Sequence, residues 1–228
     1  MSEANTRRVW DLPVRITHWA LVISFAGAYL SHAAGVQYFA LHRWFGYAVL
    51  VLVAFRLLWG FVGTRHARFA SFVRGPRAIW RYLRGAAAST PGHNPLGALM
   101  AISLLGALAV QAATGLFAND EIFNLGPLYG YVTDARSLAL TSLHRQLFYW
   151  IAGAALLHVL AVFAHLALRK DDLVKPMFTG RKPAARVAAA EEIGASRTWL
   201  ALLLAAGVSA SLGWVVMHAP AASALGFD

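Results

Sequence analysis

Cysteine is absent from all 228 residues, which excludes disulfides, thiolate metal sites, iron–sulfur clusters and thioether-attached haem. Any metal must therefore take histidine, carboxylate or methionine ligands, and there are nine histidines. Charge is scarce as well. Asp, Glu, Lys and Arg make up 13% of the chain and hydrophobic residues 59%. Soluble domains carry about a quarter charged residues, so lipid is the expected solvent here. The acidic residues are the scarcer sign, 10 against 20 basic, leaving a formal charge of +10. Those basic residues lie between apolar stretches and not on one polar domain, so membrane topology, not nucleic acid, explains them. No internal repeat or nucleotide-binding glycine motif is evident. A cleavable leader is not expected: residues 1–15 are polar, and the apolar segment that follows is too long for a leader's core.

Spanning the hydrocarbon core takes about 20 apolar residues in a helix. Five stretches qualify, at roughly 16–34, 43–62, 96–117, 142–168 and 198–217. The segment 63–95 is arginine-rich, as is 169–197, whereas the 118–141 connection holds Asp120, Glu121 and Asp134 against Arg136 alone. The positive-inside rule then places the N-terminus, 63–95 and 169–197 in the cytoplasm and the C-terminus outside, with 16 of the 20 Lys and Arg residues on the cytoplasmic side. The fifth stretch is rich in Ala, Gly and Ser, which suits close helix packing, and has no internal histidine. The expected fold is an all-α integral membrane protein, a four-helix bundle with a fifth C-terminal transmembrane helix. Residues 1–182 form the functional domain, 183–197 a cytoplasmic linker, and 198–228 an accessory helix with a short outer tail.

Ionisable residues within a span are costly and usually face the bundle interior. His144 and His158 are 14 residues apart, close to four turns, so they share a helix face about 21 Å apart along the axis. His42 begins its span at the depth of His144, and His18 lies towards the other side, near His158. Two bis-histidine sites follow: an outer one from His42 and His144, and an inner one from His18 and His158. Pairs of neutral imidazoles make closed axial sites for haem iron, suited to electron transfer. His165 shares the His158 face, seven residues on, and by depth alone it also suits His18. Zinc would prefer clustered ligands. No catalytic residue is expected beyond these.

Several stretches resemble the bacterial di-haem cytochrome b561 family, which includes the b-type subunits of nickel–iron hydrogenases. They are WDLPVRITHW, LHRWFGYAVLVLVAFRLLWGFVGTRHARFASF, NPLGALMAISLLGALAVQAATGLF, NDEIFNLGPL, LHRQLFYWIAGAALLHV and DDLVKPMFTGRK, covering about residues 9–182. The resemblance implies two non-covalent haem b groups, with the 14-residue pair on helix four ligating both, hence His158 in preference to His165. It also implies a bacterial inner membrane, exchange with the quinone pool, and a periplasmic c-type cytochrome or hydrogenase as partner. A homo-oligomer is compatible with it. An enzymatic alternative is a superoxide:quinone oxidoreductase acting at the outer haem, and a non-haem alternative is a transporter with a histidine proton relay. Arg43 and Arg145 directly follow the outer ligands and suit haem propionates or interfacial anchoring. Arg56, within helix two, must snorkel or find an anion. Gly46 and Gly153 allow a flat macrocycle, or a neighbouring helix, to approach the backbone.

Overall fold

The computed structural model describes residues 5–85 and 90–220. Helix α1, Leu12–Ala33, starts where the Asp11 carboxylate accepts the Val14 N–H at 2.7 Å, a side-chain cap with Pro13 behind it. After a 3-10 turn comes α2, Phe39–Val62. A short basic helix, α3, follows at Pro76–Leu83. Next is α4, Pro95–Gly115, capped by Asn94, whose side-chain oxygen accepts the Gly97 N–H at 2.7 Å. Then come α5, Asp134–Arg169, α6, Val174–Thr179, and α7, Thr198–Met217. Gly180 closes α6 in the left-handed conformation, φ +79°, with the Trp10 carbonyl against its backbone.

Among the described residues, four helices are long and apolar enough to cross a membrane: Val36–Val62, Pro95–Gly115, Asp134–Arg169 and Thr198–Met217. The protein is a multi-pass membrane protein. Helix α1 has the length at 22 residues but is less apolar, since Arg15, Thr17, His18, Ser24, Ser31 and His32 interrupt it. Helix α5 is longer than its apolar stretch. Its 36 residues rise about 54 Å, well beyond a hydrocarbon core of about 30 Å. The residues before 142, expected as part of a connection, are helical from Asp134.

Among the described residues there are two compact units, and their boundaries fall within α1, α2, α4, α5 and α7. The first is drawn from Met1–Trp19, Arg56–Leu104 and Ala154–Leu203. At its base β1, Thr6–Arg8, pairs antiparallel with β2, Arg181–Pro183, placing Arg7 opposite Lys182. This small sheet is an addition to the all-helical expectation. The buried Asp11 carboxylate joins the start of α1 to the end of α2, accepting the Trp59 indole N–H at 3.1 Å and the Thr64 hydroxyl. The 183–197 stretch lies against the same base. The Ile193 N–H donates to the Arg8 carbonyl at 3.0 Å, the Arg65 guanidinium to Ala190 at 2.6 Å, and the His66 ring to Glu191 at 2.7 Å.

The second unit comprises Ala20–Phe55, Leu105–Gly153 and Leu204–Asp228. In it, polar residues at the start of α5 staple the preceding loop. The buried Ser137 hydroxyl donates to the Phe117 carbonyl at 2.6 Å, and Thr141 accepts the Asn119 N–H at 2.9 Å. Asp120 closes the loop tip by accepting N–H groups of Ile122, Phe123 and Asn124 at 2.8–3.0 Å.

Candidate haem sites

In the second unit, His42 and His144 face each other with ring centroids 6.2 Å apart. Each is oriented by a backbone carbonyl. His42 Nδ1–H donates to Ala28 at 2.8 Å, and His144 Nδ1–H to Gln111 at 2.8 Å. A proton held at Nδ1 puts the lone pair at Nε2, which is the tautomer that a metal-ligating imidazole needs. Around His144 the Thr114 hydroxyl lies 3.3 Å from Nδ1 and the Gln111 amide 3.3 Å from Nε2. Gly115 admits the ring, because a Cβ there would sit 2.9 Å from His144 Cε1. His32 lies 5.7 Å from His42, a proximity that spacing alone did not suggest. Arg43 and Arg145 are exposed and make no hydrogen bond or ion pair among the described residues.

In the first unit the partners are His18 and His158, centroids 6.5 Å apart. His18 Nδ1 is shielded from solvent with no hydrogen-bond partner, and His158 makes no hydrogen bond among the described residues. His165 is differently engaged. Its Nε2 accepts the Tyr82 hydroxyl at 3.0 Å, with the Asn94 amide at 3.4 Å, and its Nδ1–H donates to Ala161 at 3.1 Å. The two candidates that spacing left open differ in their surroundings: His165 is hydrogen-bonded through both ring nitrogens and His158 through neither among the described residues. Arg56 is buried over the Phe69 ring, 5.4 Å from its centroid, with Nη1 unpartnered. His93, which the sequence placed only in a loop, packs 4.8 Å from Trp10 and 4.6 Å from Phe72 with Nδ1 unpartnered. Burial, with the charges of Arg56 and Lys182 adding to it, pushes His93 down to about 3, so the ring is neutral at physiological pH.

These residues fit haem. A metal–imidazole bond of about 2 Å, with the ring centre about 1 Å further, sets two trans imidazole centroids about 6 Å apart, close to both observed pairs. A side chain at Gly46, one turn from His42, or at Gly153 would meet nothing within 4 Å, so no neighbouring helix packs on either backbone. The Arg56 guanidinium has a buried N–H group at Nη1 with no acceptor, and a buried donor left unpaired is costly, which suits a haem carboxylate.

Half-buried imidazole pairs carried on helices of membrane-spanning length are the ligand chemistry of a membrane haem protein. Residues 9–180 match the prokaryotic cytochrome b561 family, and the chain belongs to that family. Among curated proteins it is similar to the probable Ni/Fe-hydrogenase 1 B-type cytochrome subunits of Escherichia coli strain K12 and of Escherichia coli O157:H7. Identity to each is 23% over 209 residues, covering 75% of this chain and 88% of the relative. The protein is a b-type membrane cytochrome of electron transfer.

Proposed function

We propose that this chain holds two haem b groups and passes electrons between the quinone pool and a redox partner outside the cytoplasm. The observation that carries the reading is the twofold occurrence of one arrangement, a facing histidine pair at haem-ligand separation. His42 and His144 would ligate one haem and His18 and His158 the other. Arg56 would bind a propionate of the His18–His158 haem, and Arg43 and Arg145 those of the His42–His144 haem. Haem held by these histidines would supply a one-electron couple. The chain's own groups hold the ligand tautomers, shield the iron from water and set the local charge.

The arginine bias supports a cytoplasmic N-terminus, a periplasmic C-terminus and five crossings of the bacterial inner membrane, α1 and α7 included. Residues 1–182 would be the cytochrome domain, 183–197 the link and 198–228 the accessory helix. The hydrogenase subunits among its relatives favour a hydrogenase or a periplasmic c-type cytochrome as partner. The acidic Asp120–Glu121 tip suits a basic docking surface. Adding quinol to the purified protein tests this: the haem absorption should shift to the reduced form and return on addition of oxidised c-type cytochrome. Haem that ignores quinol contradicts the reading, and haem reduced rapidly by superoxide in place of the partner favours the oxidoreductase alternative.

A further inference from the structure

Within the first unit, a half-open cavity of about 460 Å³ lies outside the histidine pairs. Its lining includes Tyr82, Asn94, His165, Arg169, Asp171, Lys182 and Arg186, three cations to one carboxylate. Most of the polar groups are already engaged. Arg186 is ion-paired with Asp171, Arg169 donates to the Tyr82 hydroxyl at 3.3 Å, and that hydroxyl bonds His165. Lys182 is the exception. It is 6% exposed, held by the β1–β2 pairing, and its ammonium makes no hydrogen bond or ion pair among the described residues. A buried charge is normally paired, because desolvating it alone is expensive. The carboxylate on the cavity wall, Asp171, is ion-paired with Arg186 and is the one acidic group acting on Lys182, so the wall keeps a net positive charge that an anion from outside the chain would balance.

We propose that this cavity binds the phosphate of an anionic phospholipid, with Lys182 as its principal contact and Arg169 beside it. Basic pockets among transmembrane helices on the cytoplasmic side are suited to such headgroups. The flanks favour a lipid over a soluble anion. Leu168, next to Arg169, is 83% exposed, and Leu83, next to Tyr82, is 59% exposed, giving acyl chains apolar surface beside the basic wall. Trp80 on α3 is exposed as well, with Arg84 stacked on it at 4.6 Å, a pairing found at headgroup level. The volume is ample for a headgroup, since one water takes about 30 Å³ of the liquid. The proposal rests on the membrane-spanning character of the chain and holds whether it carries one haem or two.

Native mass spectrometry with lipid extraction after exchange into neutral detergent tests it. The wild-type holoprotein should retain one phosphatidylglycerol- or cardiolipin-class lipid per chain. Lys182→Gln should lower that retention about tenfold, the effect of about 1.4 kcal/mol, while Lys182→Arg restores it. Haem content and spectrum should stay as in wild type. If Lys182→Gln does not fold, the wild type in nanodiscs decides: its thermal midpoint should rise when phosphatidylglycerol is added to phosphatidylcholine. A wild type that retains no anionic lipid and gains no stability from it overturns the proposal. So does Lys182→Gln that keeps its lipid but loses a haem, which assigns the ammonium to a haem carboxylate. Inorganic phosphate replacing the lipid's effect on the delipidated protein would assign the site to a soluble anion.

Discussion

The His144 ring is held by a carbonyl on one side and by the bare backbone of Gly115 on another. The methyl of Gly115→Ala would lie 2.9 Å from His144 Cε1 and 3.3 Å from Nδ1, forcing the ring or α4 to shift. Overpacking of this kind costs about 1–3 kcal/mol. The variant is expected to have a lower thermal midpoint and reduced occupancy of one haem, checked by melting and absorbance, and unchanged values would deny Gly115 this role. On α5 the contrast between His158 and His165 gives a second prediction. His165→Ala should keep both haems, because it is the His158 ring that faces His18, 6.5 Å between centroids, whereas His158→Ala should lose one, read from haem content per chain. Loss of haem from His165→Ala alone would reverse the assignment. The four ligand candidates were legible in the sequence, through helical spacing and matched depth. The different surroundings of His158 and His165 were not, because Tyr82 and Asn94 are 83 and 71 residues away from His165. Asp11 was overlooked for the same reason: a carboxylate in a polar N-terminal segment gives no sign that Trp59 and Thr64 will enclose it. Asp11→Ala removes their shared acceptor and the α1 cap, and is expected to destabilise the protein by about 2–4 kcal/mol in denaturant unfolding.

At the scale of elements, the long helices coincide with the apolar runs because the bilayer leaves a backbone no alternative to internal hydrogen bonding. Their ends were harder to read. Helix α5 starts at Asp134 because Ser137 and Thr141 turn inward to hold the loop, so polar side chains that suggest a connection serve as staples. Ser137→Ala leaves the Phe117 carbonyl without its donor and should cost about 1–2 kcal/mol of thermal stability, which differential scanning measures. The β1–β2 sheet was invisible for a different reason. Three-residue strands drawn from opposite ends of the chain have no periodicity to detect. The 183–197 stretch reads as a linker because small residues with few aromatics suggest a loop; that its backbone carbonyls accept from Arg65 and His66 could not be read from its composition. Helix α7 is apolar and 20 residues long, and its crossing is proposed here. A reporter fused after residue 228 should be active only on the periplasmic side; activity confined to the cytoplasm would show that α7 does not cross.

For the molecule as a whole, composition already selects the solvent, and the absence of cysteine already selects the ligand chemistry. With thiolates excluded and the charges concentrated at helix ends, histidine is the ligand type that the spans supply in facing pairs. The family match over residues 9–180 agrees with a membrane cytochrome. What composition does not supply is the number of cofactors, which follows only if both facing pairs, at 6.2 and 6.5 Å, bind haem. A pyridine haemochrome assay on the purified protein, normalised to chain concentration by amino-acid analysis, measures this directly. The account predicts two non-covalent b haems per chain, each low-spin in the oxidised spectrum; one haem per chain, or none, would contradict it.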